Sequence, residues 1–278
     1  MNASIAFIGG GNMTRAIAGG LVDGGVDARR LRVAEPQAEA RSALADLLPG
    51  ATISDDNARV VDGADCLVLS VKPQVLPAVC RALSGAVQTG RPLVVSIAAG
   101  VRSADIDAWL GGGLAVVRVM PNQPALVRQG VAGLYANERS TDADRELARS
   151  IMAAVGDVVL LDAEDAIDAV TAISGSGPAY FFLLIDMLVQ TAIDFGLPAN
   201  AARELAIGTA RGSAALAATS DVDMETLISR VRSPGGTTAA ALDELDGADV
   251  RAIFAAALTA ARDRAFELAD QAHQDNPE

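Results

Sequence analysis

Two glycine-rich stretches carry the residue types best suited to holding anions. The first is Gly9-Gly10-Gly11-Asn12-Met13-Thr14, which follows the short apolar run Ile5–Ile8 and precedes a helically spaced set, Met13, Ile17, Leu21 and Val22. That order reads as strand, tight turn, helix. Glycines let the backbone turn sharply and approach a ligand closely, and a new helix points free N–H groups and its positive dipole end at an anion. The spacing Gly9-x-Gly11-x-x-Thr14 approximates the dinucleotide fingerprint, with Thr where a Gly or Ala normally packs helix against strand. A Gly-rich turn without a ligand is the plainer alternative. The second stretch is Ser233-Pro234-Gly235-Gly236-Thr237-Thr238, at the start of another helix. Its amides and two hydroxyls suit a carboxylate without help from Lys or Arg, although an ordinary helix cap has the same composition.

Three further positions bear on such chemistry. Glu35 lies 21 residues beyond Thr14 at the end of an apolar run. A carboxylate there can accept hydrogen bonds from the adenosine ribose hydroxyls of NAD and repel the 2′-phosphate of NADP. Arg32 and Arg41 are close enough in sequence to counter that repulsion, and a solvent-facing Glu is the alternative. Lys72, the sole lysine, sits in Val71-Lys72-Pro73 at a strand's carboxyl end, where open α/β sheets place ligands; it is otherwise an exposed loop residue. The single histidine, His273, is in a polar C-terminal stretch, which argues against a His-based triad, proton shuttle or metal site. No metal is expected; Asp55 and Asp56 read as a solvated helix cap.

The composition sets the frame for these residues. Hydrophobic residues make up 51% of the 278, enough for a sizeable core. A formal charge of −13 with no basic cluster disfavours nucleic acid and anionic membrane surfaces as partners. Cys66 and Cys80 form no CxxC, which fits a reducing compartment. The first residues show no signal-peptide pattern, and the apolar run 179–189 contains Asp186 and is short for a bilayer, so a cytoplasmic protein is expected.

The elements that must position the two stretches alternate through the first half. Strands are expected at 5–8, 31–34, 51–53, 66–70, 93–97, 115–120, 131–135 and 158–161, with helices at 38–48, 101–110 and 141–155. Strand–helix alternation of this kind predicts a doubly wound, mostly parallel sheet. Beyond residue 163 the strand signal stops. Helices are expected at 164–172, 178–195, 200–218, 224–231, 239–245 and 249–270, with a break at Ser174–Pro178. The division is therefore an α/β dinucleotide-binding domain over 1–163 and an all-α domain over 164–278. The helix at 178–195 is apolar on nearly all sides, so it is buried or in an interface.

Taken together, Phe7-Ile-Gly-Gly-Gly-Asn-Met13, Val71-Lys-Pro73, Val95-Ser-Ile-Ala-Ala-Gly100, Met120-Pro-Asn122, Asp168-Ala-Val-Thr-Ala-Ile-Ser-Gly-Ser-Gly-Pro-Ala-Tyr180 and Ser233-Pro-Gly-Gly-Thr-Thr238 resemble pyrroline-5-carboxylate reductase over essentially the whole chain. The resemblance implies a Rossmann domain and a helical domain interleaved with that of a partner in a homodimer, with dimers often assembling into decamers. It implies reduction of 1-pyrroline-5-carboxylate to L-proline with NADPH or NADH, the last step of proline biosynthesis, in a site between the cofactor domain and the helical domains of the dimer. Carried over by residue, Gly9, Gly10, Gly11, Asn12 and Met13 hold the pyrophosphate, with Ile8 beside them among the cofactor-binding residues. Glu35 and Asn57 face the adenosine ribose, and Ser70, Val71, Lys72, Pro73 and Ala98 line the nicotinamide side. Ser233, Gly235, Gly236, Thr237 and Thr238 bind the substrate carboxylate, Thr238 also reaches the ring nitrogen as the catalytic hydroxyl, and Glu164 lies near the substrate.

The chain departs from the family pattern at Thr14, Glu35, Gln123, Arg230 and Arg232. Two alternatives share this architecture. A β-hydroxyacid dehydrogenase uses a lysine on a second-domain helix, and no lysine follows Lys72. A non-catalytic dinucleotide-binding sensor has no use for a carboxylate cradle.

Overall fold

A computed structural model describes residues 2–274. The chain begins with β1 (Ile5–Ile8), α1 (Asn12–Asp23), β2 (Leu31–Ala34), α2 (Ala38–Leu47), β3 (Thr52–Ser54) and α3 (Asn57–Val61). It continues through β4 (Cys66–Leu69), α4 (Leu76–Gly90), β5 (Leu93–Ser96), α5 (Ser103–Trp109), β6 (Val116–Met120), β7 (Gly130–Ala136), α6 (Asp142–Met152) and β8 (Gly156–Leu161). Helices follow: α7 (Ala166–Val170), α8 (Gly177–Asp194), α9 (Ala199–Ala218), α10 (Met224–Val231), α11 (Thr237–Gly247) and α12 (Val250–Gln274).

The strands form one eight-stranded sheet in the order β3-β2-β1-β4-β5-β6-β7-β8. Only β6 and β7 pair antiparallel, so the sheet is mostly parallel, as expected. Every residue of β1, β4 and β5 is buried, because helices cover both faces. Alternation divides the core accordingly. Ile5 and Phe7 pack with Ile17, Leu21 and Leu44 on one face, while Ala6 and Ile8 pack with Leu76, Leu83 and Trp109 on the other. The glycine turn follows β1, which lies inside the sheet between β2 and β4.

Three elements differ from expectation. Residues 76–90, lying between clear strand signals, form a 15-residue helix whose buried positions Leu76, Cys80, Leu83 and Val87 recur at helical spacing. The break expected at Ser174–Pro178 is instead a π-helical turn, Thr171–Gly175, inside a helical run from Ala166 to Asp194. The Ser176 N–H donates to the Thr171 carbonyl at 2.8 Å, and the Ser174 carbonyl accepts Asn122 Nδ2 at 3.1 Å. Backbone groups that a break would free are therefore satisfied. A Cβ on Gly175 would lie 2.6 Å from Met120 Cε, the movable end of that side chain. Finally, the last helix runs on to Gln274, so the backbone of His273 belongs to a helix rather than to a polar tail.

The chain divides into two compact units, one comprising Met1–Ser176 with Ala261–Glu278 and the other Gly177–Ala260. The helical unit buries little of itself. Its buried hydrophobic residues among those described are Ala202 and Ala206, while Phe181 is 63% exposed, Phe182 58% and Leu183 60%. By length and composition the run 166–194 could also cross a membrane, which the shorter apolar stretch inside it does not suggest.

One glycine in the sheet makes a direct test of the packing. Gly156 opens β8 at φ +153° opposite Gly130, and a Cβ there would overlap the Gly130 carbonyl. Gly156→Ala is expected to cost about 3 kcal/mol or more, lowering Tm by on the order of 10 °C in thermal unfolding. An unchanged Tm would show that the β7–β8 pairing yields without strain.

Candidate functional site

The glycine turn is shaped by what lies against each glycine. Gly9 has φ +98°, and a Cβ on it would lie 2.8 Å from the Ser70 carbonyl oxygen at the end of β4. A Cβ on Gly10 would overlap Leu44, whereas one on Gly11 would meet nothing within 4 Å. The open side of the turn is thus at Gly11, which caps α1. No side chain bonds the first amides of α1, and its first turn holds no acid. Helix-start amides have no intrahelical acceptor, so this end has free donors and an uncompensated positive dipole.

Two side chains stiffen the turn. Thr14 is fully buried, and its hydroxyl donates to the Gly9 carbonyl at 2.6 Å. The residue that departs from the small-residue rule therefore has its polar group satisfied. Glu35 accepts the Gly10 N–H on Oε2 at 2.9 Å and the Gln37 N–H on Oε1 at 3.0 Å. Arg41 holds the same corner through the carbonyls of Glu35 (3.0 Å) and Pro36 (2.7 Å), and pairs with Asp55 at 3.5 Å. The Glu35 charge is consequently fixed beside the turn.

The other strand ends gather here. Ser70 N–H donates to the Ile8 carbonyl at 2.9 Å, and Ser70 Oγ is buried with no hydrogen-bond partner among the described residues. Val71 and Pro73 are half-buried, and Lys72 is exposed. Ala98 is buried after β5, its N–H donating to Ser96 Oγ at 3.3 Å. Asn57 begins α3, whose amides at Ala58 and Arg59 are capped by Asp56 rather than by Asn57. Ile8, Glu35, Ser70 and Ala98 lie at or just past the carboxyl ends of parallel strands β1, β2, β4 and β5. Free helix-start amides, an open Gly11 and an orphan Ser70 hydroxyl along that edge fit a dinucleotide.

The second stretch belongs to the helical unit. Gly236 N–H donates to the Ser233 carbonyl at 3.0 Å, and Gly235 has φ +68°. Pro at the second position and a left-handed Gly at the third make this a type II turn. Gly236 caps α11 without a side chain, because a Cβ there would overlap Ser233 Oγ. The Ser233 hydroxyl and the Thr237 and Thr238 amides are left at an uncapped helix start with no acid in its first turn. Arg232 is turned to Asp243 and Asp246 of α11, so its charge is spent within the helix pair.

Glu164 is placed differently from the other candidates. Its Oε1 accepts the Ser103 N–H at 2.6 Å and Arg118 Nη1 at 2.8 Å, and its Oε2 accepts Ser103 Oγ at 2.8 Å. Asp168 lies nearby, 1% exposed, and burial raises its carboxyl above the ordinary range against the pull of Arg102 and Arg118. Arg102, Ser103, Arg118 and Asp168 were missed as site residues; the one signal was a lone Arg inside the apolar strand Val116–Met120. Both cysteines are free and buried. Burial pushes the Cys80 thiol up to about 12 and Cys66 further, so neither is a nucleophile at neutral pH. Among the described residues no cluster of His, Cys, Asp and Glu could hold a metal ion.

Two family models match parts of the chain. Residues 164–268 match the family model for pyrroline-5-carboxylate reductase dimerisation, and residues 4–100 match that described as NADP oxidoreductase, coenzyme F420-dependent. A pyrroline-5-carboxylate reductase from Pseudomonas aeruginosa is 46% identical over 270 residues, covering 97% of this chain and 98% of that protein. The structure of a pyrroline-5-carboxylate reductase from Coxiella burnetii superposes with a TM-score of 0.92 at 40% identity, covering 96% of this chain and 99% of that one. One from Plasmodium falciparum with NADP bound gives 0.85 at 26% identity, covering 96% and 98%.

The position of Glu35 generates a two-part prediction. Glu35→Ser removes both the acceptor of the Gly10 N–H and the charge fixed beside the glycine turn. Both NADH and NADPH should bind more weakly, and the ratio of their kcat/KM values should move toward NADPH by about tenfold. Steady-state assays with the two cofactors check this; an unchanged ratio would remove Glu35 from cofactor choice.

Proposed function

The chain belongs to the pyrroline-5-carboxylate reductase family, and from that premise we propose how its residues divide the work. It reduces 1-pyrroline-5-carboxylate to L-proline by hydride transfer from NAD(P)H, the last step of proline biosynthesis. The observation that carries the division is that α1 and α11 each start at a glycine with no side chain on their first amides.

The first start receives the cofactor pyrophosphate at Gly9 to Met13, with Ile8 beneath it. Glu35 and Asn57 face the adenosine ribose, and the fixed Glu35 charge makes NADH at least as good a donor as NADPH. Ser70 to Pro73 and Ala98 border the nicotinamide; the unpaired Ser70 hydroxyl supports a polar contact there. When bound, the dihydronicotinamide supplies the hydride. The second start receives the substrate carboxylate on Ser233, Gly235, Gly236 and Thr237. This fixes the ring so that the Thr238 hydroxyl can hydrogen-bond its nitrogen. A protonated cyclic imine is already electrophilic, so orientation, rather than a strong acid, is what the protein must add. The absence of histidine from both stretches is consistent with that chemistry.

The helical region is a dimerisation domain. We propose a homodimer with interleaved helical domains, assembling further to a decamer, working in the cytoplasm without a membrane or nucleic-acid partner. The exposed Phe181, Phe182 and Leu183 support a subunit seam, and the charge of −13 disfavours nucleic acid.

Thr238→Ala is expected to lower kcat by about 100-fold while leaving NADH affinity within about twofold. Equal kcat in variant and parent would take Thr238 out of the reaction. Phe182→Asp should shift the chain to smaller species in sedimentation velocity; an unaltered profile would place the seam elsewhere.

A further inference from the structure

Arg15 closes the first turn of α1, its backbone N–H donating to the Gly11 carbonyl at 3.0 Å, and is half-buried. A cation is out of place there. The helix dipole is positive at that end, so a guanidinium in the first turn is disfavoured unless an anion offsets it. No acid in that turn does so. Arg15 Nε donates to the Gly10 carbonyl at 3.2 Å, which anchors the side chain at the glycine turn. Its Nη1 and Nη2 make no hydrogen bond or ion pair with any described residue, so the end of the fork is left without a partner.

Gly10 is thus held by both of its polar groups. Glu35 accepts its N–H at 2.9 Å, and Arg15 donates to its carbonyl. A carboxylate and a guanidinium hang on one residue, yet they form no ion pair with each other. Glu35 is occupied by two backbone amides, those of Gly10 and Gln37. The arginines that sequence proximity suggests as counter-charges to Glu35 are occupied too. Arg32 Nη1 donates to the Asp62 carbonyl, and Arg41 holds the carbonyls of Glu35 and Pro36 and pairs with Asp55. Arg15 is the arginine at this corner whose outer donors are left over.

We propose that Arg15 binds the 2′-phosphate of NADPH and so sets how well this chain uses that cofactor beside NADH. The inference rests on the reading that the start of α1 holds the dinucleotide. In that reading the adenosine ribose lies at Glu35, and its 2′ position lies beside Gly10, between the carboxylate and the guanidinium. An arginine fork offers a phosphate two parallel donors, a match that a point charge lacks. Glu35 repels a 2′-phosphate, and Arg15 offsets that repulsion, so NADPH is a working donor in spite of the carboxylate. NADH, with a free 2′-hydroxyl, has no need of Arg15. The pyrophosphate has the amides at the start of α1 and is bound without it.

The test measures dissociation constants for NADPH, NADH, 2′,5′-ADP and 5′-AMP by titration of the full chain. The proteins are the parent, Arg15→Gln, Arg15→Lys and Arg59→Gln. Arg15→Gln should weaken NADPH and 2′,5′-ADP about tenfold and leave NADH and 5′-AMP within about twofold. Arg15→Lys keeps the charge but not the fork, and its NADPH affinity should fall between those of the parent and Arg15→Gln. Arg59→Gln removes the same charge from an exposed position at the start of α3, on the same edge of the sheet. It should leave the NADPH-to-NADH ratio within about twofold. Equal losses of NADPH and NADH in Arg15→Gln would put Arg15 on the pyrophosphate or in the turn alone and overturn the proposal. So would an unchanged NADPH affinity, or a ratio lowered as much by Arg59→Gln. A parent that binds neither dinucleotide would defeat the reading of the glycine turn, and the proposal with it.

Discussion

A helix whose first amides meet no side chain must find acceptors outside the helix. Two starts of this kind, at Gly11 and Gly236, begin at a glycine, and the surrounding structure keeps both of them open. At the first, Gly9 passes over the Ser70 carbonyl where no side chain would fit, while Thr14 and Glu35 occupy the polar groups of the turn itself. At the second, a type II turn folds Ser233 back beside the helix start, and Gly236 leaves room for its hydroxyl. Neither start carries an acid in its first turn, so the dipole of each remains available to an anion. The proposed function gives the first start to the dinucleotide and the second to the substrate carboxylate, so that one local device would serve both.

The second constraint is burial. The sheet unit has two full cores, one on each face. The helical unit has little core of its own, with large apolar side chains of α8 at its surface. At ~25 cal/mol per Å² of apolar surface, leaving several Phe, Leu and Met side chains in water is costly, and association removes that cost. The dimerisation model matched over 164–268 covers this region. The start of α11 therefore lies in a part of the chain that gains stability from association.

Legibility in the sequence followed the range of the interactions. Strands β1, β4 and β5 were plain because burial on both faces demands unbroken apolar runs, and the two glycine stretches were plain because their function is local backbone geometry. Helix α4 was missed although Leu76, Cys80, Leu83 and Val87 have helical spacing, because Pro73 and Pro77 obscure its start and Gly90 its end. The π turn reads as a break because Ser174, Gly175 and Pro178 are turn residues; what keeps it helical is Asn122, over 50 residues away. The Glu35–Gly10 bond and the Glu164–Ser103 clamp are tertiary, spanning 25 and 61 residues, and no periodicity encodes them. Family resemblance placed Glu164 near the substrate, and only the fold shows its contacts with α5 and β6.

The central claim is that substrate is selected by its carboxylate at the start of α11. It is tested most directly by comparing kcat/KM for 1-pyrroline-5-carboxylate with that for 1-pyrroline, the same cyclic imine without the carboxylate. Two or more charge-assisted hydrogen bonds at about 1.5–3 kcal/mol each predict a loss of roughly 100-fold or more for 1-pyrroline. Comparable kcat/KM values for the two imines would contradict the account.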